Sequence, residues 1–433
     1  GHIYMKKIHQ AECELKDMVQ RLSTSNNVWP TQIQRHTLAD IQCSGHHLSE
    51  SQQQAVRKAL NSPIAIITGG PGVGKTTITQ ALLYLAEQAN LTTLLCAPTG
   101  RAAKKLASCT NHEAKTIHRL LKMDPATKKF RHNQANPLAA DLILIDECSM
   151  IDIYLARHLF NAISKHSNII LIGDTDQLPS VGPGAFLYDM IKRFEQHTAY
   201  LTQIYRQANH SAIIENAHRI NAGKSLLPNE TDTLSDFYFI ADQDPIRIHT
   251  RIQELVTQRI PNRFALSPLD DIQILSPMHK GSLGTQALNT LMQQSLNPNT
   301  QHSVGHFRAG DKVIQTKNNY DKDVFNGDIG FIKNICNTRK EIQVDFSGHI
   351  VIYLFSELDE LQLAYAISIH KSQGSEYPAI IIPLGMQHFT LLERNLIYTA
   401  ITRGRKLVII IGDMKALHMA IRNAKSKRRN TSL

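Results

Sequence analysis

The most specific chemistry in this chain sits at the end of a glycine-rich run. Gly69-Gly70-Pro71-Gly72-Val73-Gly74-Lys75-Thr76 satisfies G-x-x-x-x-G-K-[ST] at every fixed position. Glycines let backbone N–H groups turn inward on a phosphate, and a helix starting there adds partial positive charge. Gly70, Pro71, Gly72, Val73, Gly74, Lys75, Thr76 and Thr77 are therefore the expected phosphate cradle of a nucleoside triphosphate. Lys75 would reach the β- and γ-phosphates, and the Thr76 hydroxyl would hold Mg²⁺. Asp146 and Glu147 close the apolar run LILIDE. Such a pair suits a metal-holding carboxylate followed by a base that orients or deprotonates water. Gln177, in GDTDQLPSV, stands where a γ-phosphate sensor belongs, or is an ordinary loop amide. Phosphoryl transfer also needs fixed positive charge, and arginine supplies it as a planar, permanently protonated donor. Arg206 in LTQIYRQ and Arg403 in YTAITRGR are the candidates, with surface ion pairing as the plainer reading of each.

These side chains need particular elements beneath them. Ile64–Ile67 is short and β-branched, which predicts a buried strand; Ile78, Leu82, Leu83 and Leu85 then fall on one side of a helix. Thr92–Cys96, LILIDE (142–147) and NIILIGD (168–174) predict further strands of a parallel α/β sheet, with its chemistry at the strand C-termini. LSESQQQAVRKAL (48–60) predicts a helix. Ser49 and Gln52 fit an S-x-x-Q capping box, while the Gln52 carboxamide equally suits an adenine edge, so both readings stand.

From about Ser211 a second α/β unit is expected, with strands FYFI (237–240), IQIL (272–275), AIIIP (379–383) and LVIII (407–411). Inside it, residues 325–355 alternate apolar and polar side chains between Asn-Gly and Ser-Gly turns, which predicts a small antiparallel β-barrel. KMDPATKKFRHNQANP (122–137) reads as a hairpin whose Phe130 and neighbouring cations could stack on a base pair and hold phosphate. The expected organisation is a helical stub and linker (1–47), a first motor domain (48–208, hairpin about 122–137) and a second (209–433). The second carries the barrel at about 318–358 and a basic tail at 422–433.

Composition narrows the class. The 433 residues are 42% hydrophobic and 19% charged, ordinary for a globular protein of two or three domains, and no apolar run approaches a membrane span. Six scattered cysteines without a C-x-x-C pair point to reduced thiols in a cytoplasm. The 21 histidines show no metal-ligand spacing, leaving nucleotide-bound Mg²⁺ as the one expected metal. A net charge of +10 suits a polyanionic partner. Part of it, Lys425, Lys427, Arg428 and Arg429, reads as a solvated terminus.

The ordered set GGPGVGKTT, APTGRAAKKL, TIHRLL, LILIDE, GDTDQLPSV, YRQ, SIHKSQGSE and YTAITRGR, spanning roughly 48–412, resembles the RecD-like branch of superfamily 1 helicases. It is most similar to the stand-alone bacterial RecD/TraA-type proteins. The resemblance implies two RecA-like P-loop motor domains, a strand-separating hairpin inserted in the first, and an SH3-like barrel inserted in the second. It also implies ATP and Mg²⁺ as cofactors, 5′-to-3′ movement on single-stranded DNA, and unwinding of forked or 5′-tailed duplexes in repair or recombination. On it, Gln52 becomes the adenine contact, Arg206 and Arg403 γ-phosphate contacts, and Gly374 and Glu376 nucleotide contacts that couple to movement. Pro98, Thr99, Arg101, His118, Phe130, Lys280 and His370 fall to DNA. The family also carries a sizeable N-terminal domain before the motor, and this chain begins near where that domain should end. The rivals are a translocase or RNA-directed motor without duplex opening, a non-catalytic nucleotide switch, and a small-molecule kinase. The last two are disfavoured by the full catalytic set and by eight ordered motifs over two units.

Overall fold

The computed structural model describes residues 5–43, 46–124, 127, 129–203, 211–228, 234–424, 429 and 431. The chain divides into one unit of Gly1–Asn209 with Ser426–Leu433 and another of His210–Lys425.

The first unit is built on a six-stranded, wholly parallel sheet. Its strands are β1 (Ile64–Gly69), β2 (Thr93–Ala97), β3 (Ala114–Thr116), β4 (Leu142–Ile145), β5 (Asn168–Gly173) and β6 (Thr198–Leu201), in the order β3-β2-β4-β5-β1-β6. The chain leaves β1 and passes over two places before laying down β2, and β4 and β5 later fill the gap. The C-terminal ends of β4, β5 and β1 thus lie side by side, where open α/β sheets bind ligands. Full burial of β4 and β5 explains their unbroken aliphatic sequences.

Helices cover both faces: α1 (Lys6–Ser23), α2 (Glu50–Leu60), α3 (Lys75–Gln88), α4 (Gly100–Thr110), α5 (Ile153–Asn161) and α6 (Phe186–Arg193). The residues before 48 are no detached stub. Ala11, Leu15, Val19 and Leu22 of α1 are fully buried in the core with Ile143, Ile145 and Phe160. Trp29, Leu38 and Ile41 close the opposite face against Ala55, Val56 and Ile67.

The segment after Leu121 does turn back on itself. Met123 and Phe130 form an antiparallel bridge, and Asp124 N donates to Lys129 O at 2.9 Å. The placement of Phe130 differs from the sequence expectation. Its ring belongs to the base of the turn, packed between His118 (5.9 Å between centroids) and His158 (4.8 Å) against the core. An aromatic that can bury its ring against two imidazoles does not stay in water, so Phe130 anchors the hairpin and is not its tip. Pro125 and Lys128 lie outside the described residues.

The second unit holds a five-stranded parallel sheet: β7 (Phe237–Ala241), β8 (Ile272–Ser276), β16 (Ala366–Ser368), β17 (Tyr377–Leu384) and β18 (Gly404–Gly412), in the order β16-β8-β17-β18-β7. Its helices include α7 (Ala212–Asn221), α8 (Pro245–Glu254), α9 (Thr285–Leu296), α10 (Arg394–Ile401) and α11 (Met414–Arg422). A two-strand turn, β9 (Ser303–Val304) with β10 (Phe307–Arg308), leads into an antiparallel sheet. That sheet comprises β11 (Lys312–Gln315), β12 (Ile329–Cys336), β13 (Glu341–Phe346), β14 (His349–Leu354) and β15 (Leu361–Leu363), ordered β14-β13-β12-β11-β15. Its inward residues, among them Ile332, Ile342, Val344, Val351 and Tyr353, form their own core. Asp311 joins this small domain to α9. Its buried carboxylate accepts from Gln293 Nε2 (2.6 Å), Asn297 Nδ2 (2.8 Å), Tyr365 Oη (2.9 Å) and Arg308 N (2.7 Å).

Because α1 is core, Leu15→Ala should lower the unfolding free energy by about 2–5 kcal/mol, the range for emptying a buried leucine site. Chemical denaturation reads this directly; an unchanged midpoint would make α1 an accessory.

Candidate active site and nucleic-acid face

β1 delivers the chain to the glycine loop, and Val73, fully buried in the core, pins the middle of that loop to the domain. Gly72 (φ 73°) and Gly74 (φ 84°) take left-handed conformations that side chains resist. At Gly74 space also matters: a Cβ would lie 2.2 Å from Gln52 Nε2. Lys75 opens α3, and its Nζ donates to the carbonyls of Gly69 and Gly70, the latter at 2.7 Å. Thr76, in the first turn, is exposed.

Gln52 resolves into two halves. Its Oε1 accepts from Ser49 N at 3.1 Å while Ser49 Oγ accepts from Gln52 N at 3.3 Å, completing the capping box. Its amide nitrogen faces Gly74 of the loop. The capping role is present, and the donor half of the carboxamide is left at the nucleotide loop.

β4 ends at Asp146, whose Oδ1 accepts from Glu147 N at 2.8 Å. Glu147 has φ 53°, a left-handed conformation that costs a non-glycine residue about 1–2 kcal/mol and turns the chain sharply out of β4. Burial pushes the Asp146 carboxyl up to about 6, with Glu147 adding to the rise; Lys105 and Lys75 oppose it. β5 ends next door at Asp174, which is buried and likewise raised by desolvation, with Lys75 here the chief opposing charge. Asp174 accepts from Gln177 Nε2 at 3.2 Å and from Asp176 N at 3.0 Å. Lys75, Asp146, Glu147, Asp174 and Gln177 are therefore one electrostatic group at three adjacent strand ends. Asp174 was not singled out from sequence; the available signal was an acid ending a buried strand, as at Asp146.

Other expected positions serve local structure as well. Thr99 caps α4, accepting from Ala102 N at 3.3 Å, with Pro98 half-buried before it and Arg101 in its first turn. His118 is kept neutral by burial, against the pull of Asp152. In the second unit, Arg403 is buried, and its guanidinium donates to Thr399 O (3.2 Å), Ser375 O (3.1 Å) and Thr402 Oγ1 (3.2 Å). It is thus no surface ion-pair residue, but a group held by three bonds of its own unit. Gly374 has φ 72°, and Glu376 faces Arg405 at 3.7 Å. Arg206 lies outside the described residues.

A cationic edge forms where β8 and β16 run parallel as neighbours. Their C-terminal ends carry His279 and Lys280 on one side and His370 and Lys371 on the other. Burial lowers the pKa of His279, His370 and Lys371, and each histidine feels a neighbouring member of the group. A cavity of about 730 Å³ opens beside them, lined by His279, Asn289, His306, Arg308, Gln362 and Lys371 among others. Lys371 and Arg308 were not singled out from sequence.

Fold and site together define a P-loop nucleoside triphosphatase with a second α/β unit carrying an inserted barrel. Family models agree: an AAA domain matches residues 52–183, the ATP-dependent RecD-like DNA helicase SH3 domain matches 288–346, and the UvrD-like helicase C-terminal domain matches 363–411. The chain is 35% identical to the ATP-dependent RecD2 DNA helicase of Deinococcus radiodurans, across 100% of this chain and 58% of that protein. It is 30% identical to the RecBCD enzyme subunit RecD of Mycobacterium tuberculosis, covering 86% of this chain and 70% of that one. The chain belongs to the RecD-like family of helicases. Among solved structures, Pif1 helicases at forked double-stranded DNA share the fold with a TM-score of 0.52 at 20% identity, covering 84% of this chain and 92% of theirs. Pif1 from Bacteroides with ADP-AlF3 and single-stranded DNA gives 0.51 at 18%, covering 87% and 94%.

The raised Asp146 carboxyl makes a signed prediction. Asp146 takes up a proton as pH falls through about 6, and a neutral carboxyl attracts a cation poorly. The increment in ADP affinity brought by Mg²⁺ should shrink between about pH 8 and about pH 5, and Asp146→Asn should remove the part due to this residue. Titration calorimetry with and without Mg²⁺ separates this from the nucleotide's own protonation. Identical pH profiles in parent and variant would place Asp146 away from the metal.

Proposed function

We propose that the chain is an ATP-dependent DNA helicase that moves 5′ to 3′ along single-stranded DNA and opens forked or 5′-tailed duplexes, in repair or recombination. The observation that carries this reading is the convergence of Lys75, Asp146, Glu147 and Asp174 with Gln177 at adjacent strand ends of the first unit. The names of the Deinococcus and Mycobacterium relatives support it, although the chain spans 58% of the length of the former.

In this reading the loop N–H groups and Lys75 bind the phosphates of ATP, after Lys75 leaves the Gly69 and Gly70 carbonyls. Thr76 and Asp146 would hold Mg²⁺, which supplies charge neutralisation between the phosphates. The donor set fits: a hydroxyl in the first turn of α3 and a carboxylate at the end of β4 are hard oxygen donors of the kind Mg²⁺ takes. Glu147 accepts a proton from the attacking water, and Gln177, oriented by Asp174, senses the γ-phosphate. Gln52 meets the base through its free donor half. Arg206 and Arg403 are the transition-state cations, Arg403 by exchanging its carbonyl partners for phosphate oxygens. Gly374 and Glu376 couple nucleotide state to movement. DNA follows Pro98, Thr99, Arg101 and His118 in the first unit and Lys280 and His370 in the second, where backbone phosphates meet cations and affinity falls with salt. Phe130 supports the hairpin from its base. Among the described residues no helix is long and apolar enough to cross a membrane, and the scattered thiols suit a reducing cytoplasm.

The rival is a translocase, or an RNA-directed motor, that opens no duplex. ATPase stimulation should be strong with single-stranded DNA and weak with RNA of the same length and sequence. Unwinding should require a 5′ tail and fail on 3′-tailed and blunt duplexes. Equal unwinding from both tails, or RNA as the better stimulator, would overturn the assignment.

A further inference from the structure

The loop that follows Gln177 contains a receptor for a guanidinium. Between Ser180 and Gly184 the backbone curls so that the carbonyls of Ser180, Gly182 and Gly184 converge. Arg429 fills the space: Nη2 donates to Ser180 O at 2.8 Å, and Nη1 to Gly182 O and Gly184 O, each at 2.8 Å, with Ser180 Oγ 3.4 Å away. Three acceptors turned towards one point repel each other unless a donor sits there. A planar guanidinium with five N–H groups satisfies them together, which an ammonium does less well.

The other side of the loop is walled. Pro183 O accepts from Ile153 N at 2.9 Å, and a Cβ on Gly182 would lie 2.1 Å from the Asp152 carboxylate that caps α5. Gly184, at φ 94°, makes the turn back into α6. Thr431 adds a second anchor, its Oγ1 donating to Asp189 Oδ1 on α6 at 2.6 Å. Arg429 was expected in a solvated terminus; it is instead half-buried in the first unit.

We propose that Arg429 is a positioning residue for hydrolysis: by holding the 180–184 carbonyls it fixes the loop whose start carries Gln177. The inference rests on the reading of this strand edge as an ATPase site. Only Leu178 and Pro179 separate Gln177 from Ser180, and Asp174 holds the Gln177 amide from the strand side. Loop placement is therefore supported from β5 through Asp174, from Ile153 through Pro183, and from Arg429 through the three carbonyls. Occupation of the receptor makes hydrolysis responsive to whatever displaces residues 429–431, without touching the phosphate cradle.

The test compares Arg429→Ala and Arg429→Lys with the parent chain. Arg429→Ala should leave MgATP affinity unchanged and slow single-turnover hydrolysis about tenfold, the smaller end of what misplacement of a catalytic group costs. Amide hydrogen exchange over residues 178–185 should rise with it. Arg429→Lys should recover part of the rate, and methylguanidine at sub-denaturing concentration should restore Arg429→Ala but leave an Asp174→Asn variant unaffected. Parent-like hydrolysis in Arg429→Ala would overturn the proposal, as would faster exchange without slower hydrolysis, since Arg429 would then only brace the loop. A parent that hydrolyses no ATP would bring down the functional reading itself; an active parent matched by an equally active Arg429→Ala would bring down only the role of Arg429.

Discussion

One ammonium sits in the field of two desolvated carboxylates, Asp174 buried and Asp146 half-buried, and the nucleotide site depends on that balance. Asp146 and Asp174 end neighbouring strands, are both pushed towards their neutral forms by desolvation, and are both opposed by Lys75. Desolvating a carboxylate is costly even when amides donate to it, as they do to both of these acids, so each leans on the cations beside it. The strand order supplies the geometry. Had the chain placed β2 directly beside β1, the acids would end far from the glycine loop.

The same economy governs the loops. Gly74 leaves room for the Gln52 amide, Asp174 orients Gln177, and Glu147 accepts a left-handed backbone. Each is a local cost or constraint at a strand end, the pattern expected where geometry is held for chemistry. The second unit repeats the logic with cations, where the ends of β8 and β16 gather His279, Lys280, His370 and Lys371 beside a cavity bounded by the inserted barrel. The buried Asp311 cluster fixes one wall of that cavity through Gln293 and Arg308.

Much of this was legible in the sequence, for physical reasons. Unbroken aliphatic runs bounded by acids and glycines announce buried parallel strands, and the glycine loop has little chemistry open to it but phosphate. Alternation in 325–355 announced the barrel, but its first strand did not: Lys312–Gln315 is buried on both faces, with Lys312 Nζ donating to Ile272 O at 3.3 Å, so period two disappears. Asp174 and Arg403 show the limit for side chains. Nothing in local pattern says that one acid joins the Lys75 group, or that one arginine is buried on three oxygen acceptors of its own unit. Phe130 and Arg429 show the same limit for surface segments, where tertiary contacts drew in residues that composition assigns to solvent.

The measurement closest to the central claim is DNA-stimulated ATP turnover by Lys75→Ala. Removing the ammonium frees the Gly69 and Gly70 carbonyls at a stability cost of about 1 kcal/mol, so the variant should stay folded by circular dichroism and denaturation. Turnover should fall to background, because the γ-phosphate loses its charge partner and Asp174 loses its chief opposing charge. Appreciable DNA-stimulated turnover in a folded Lys75→Ala protein would contradict the account.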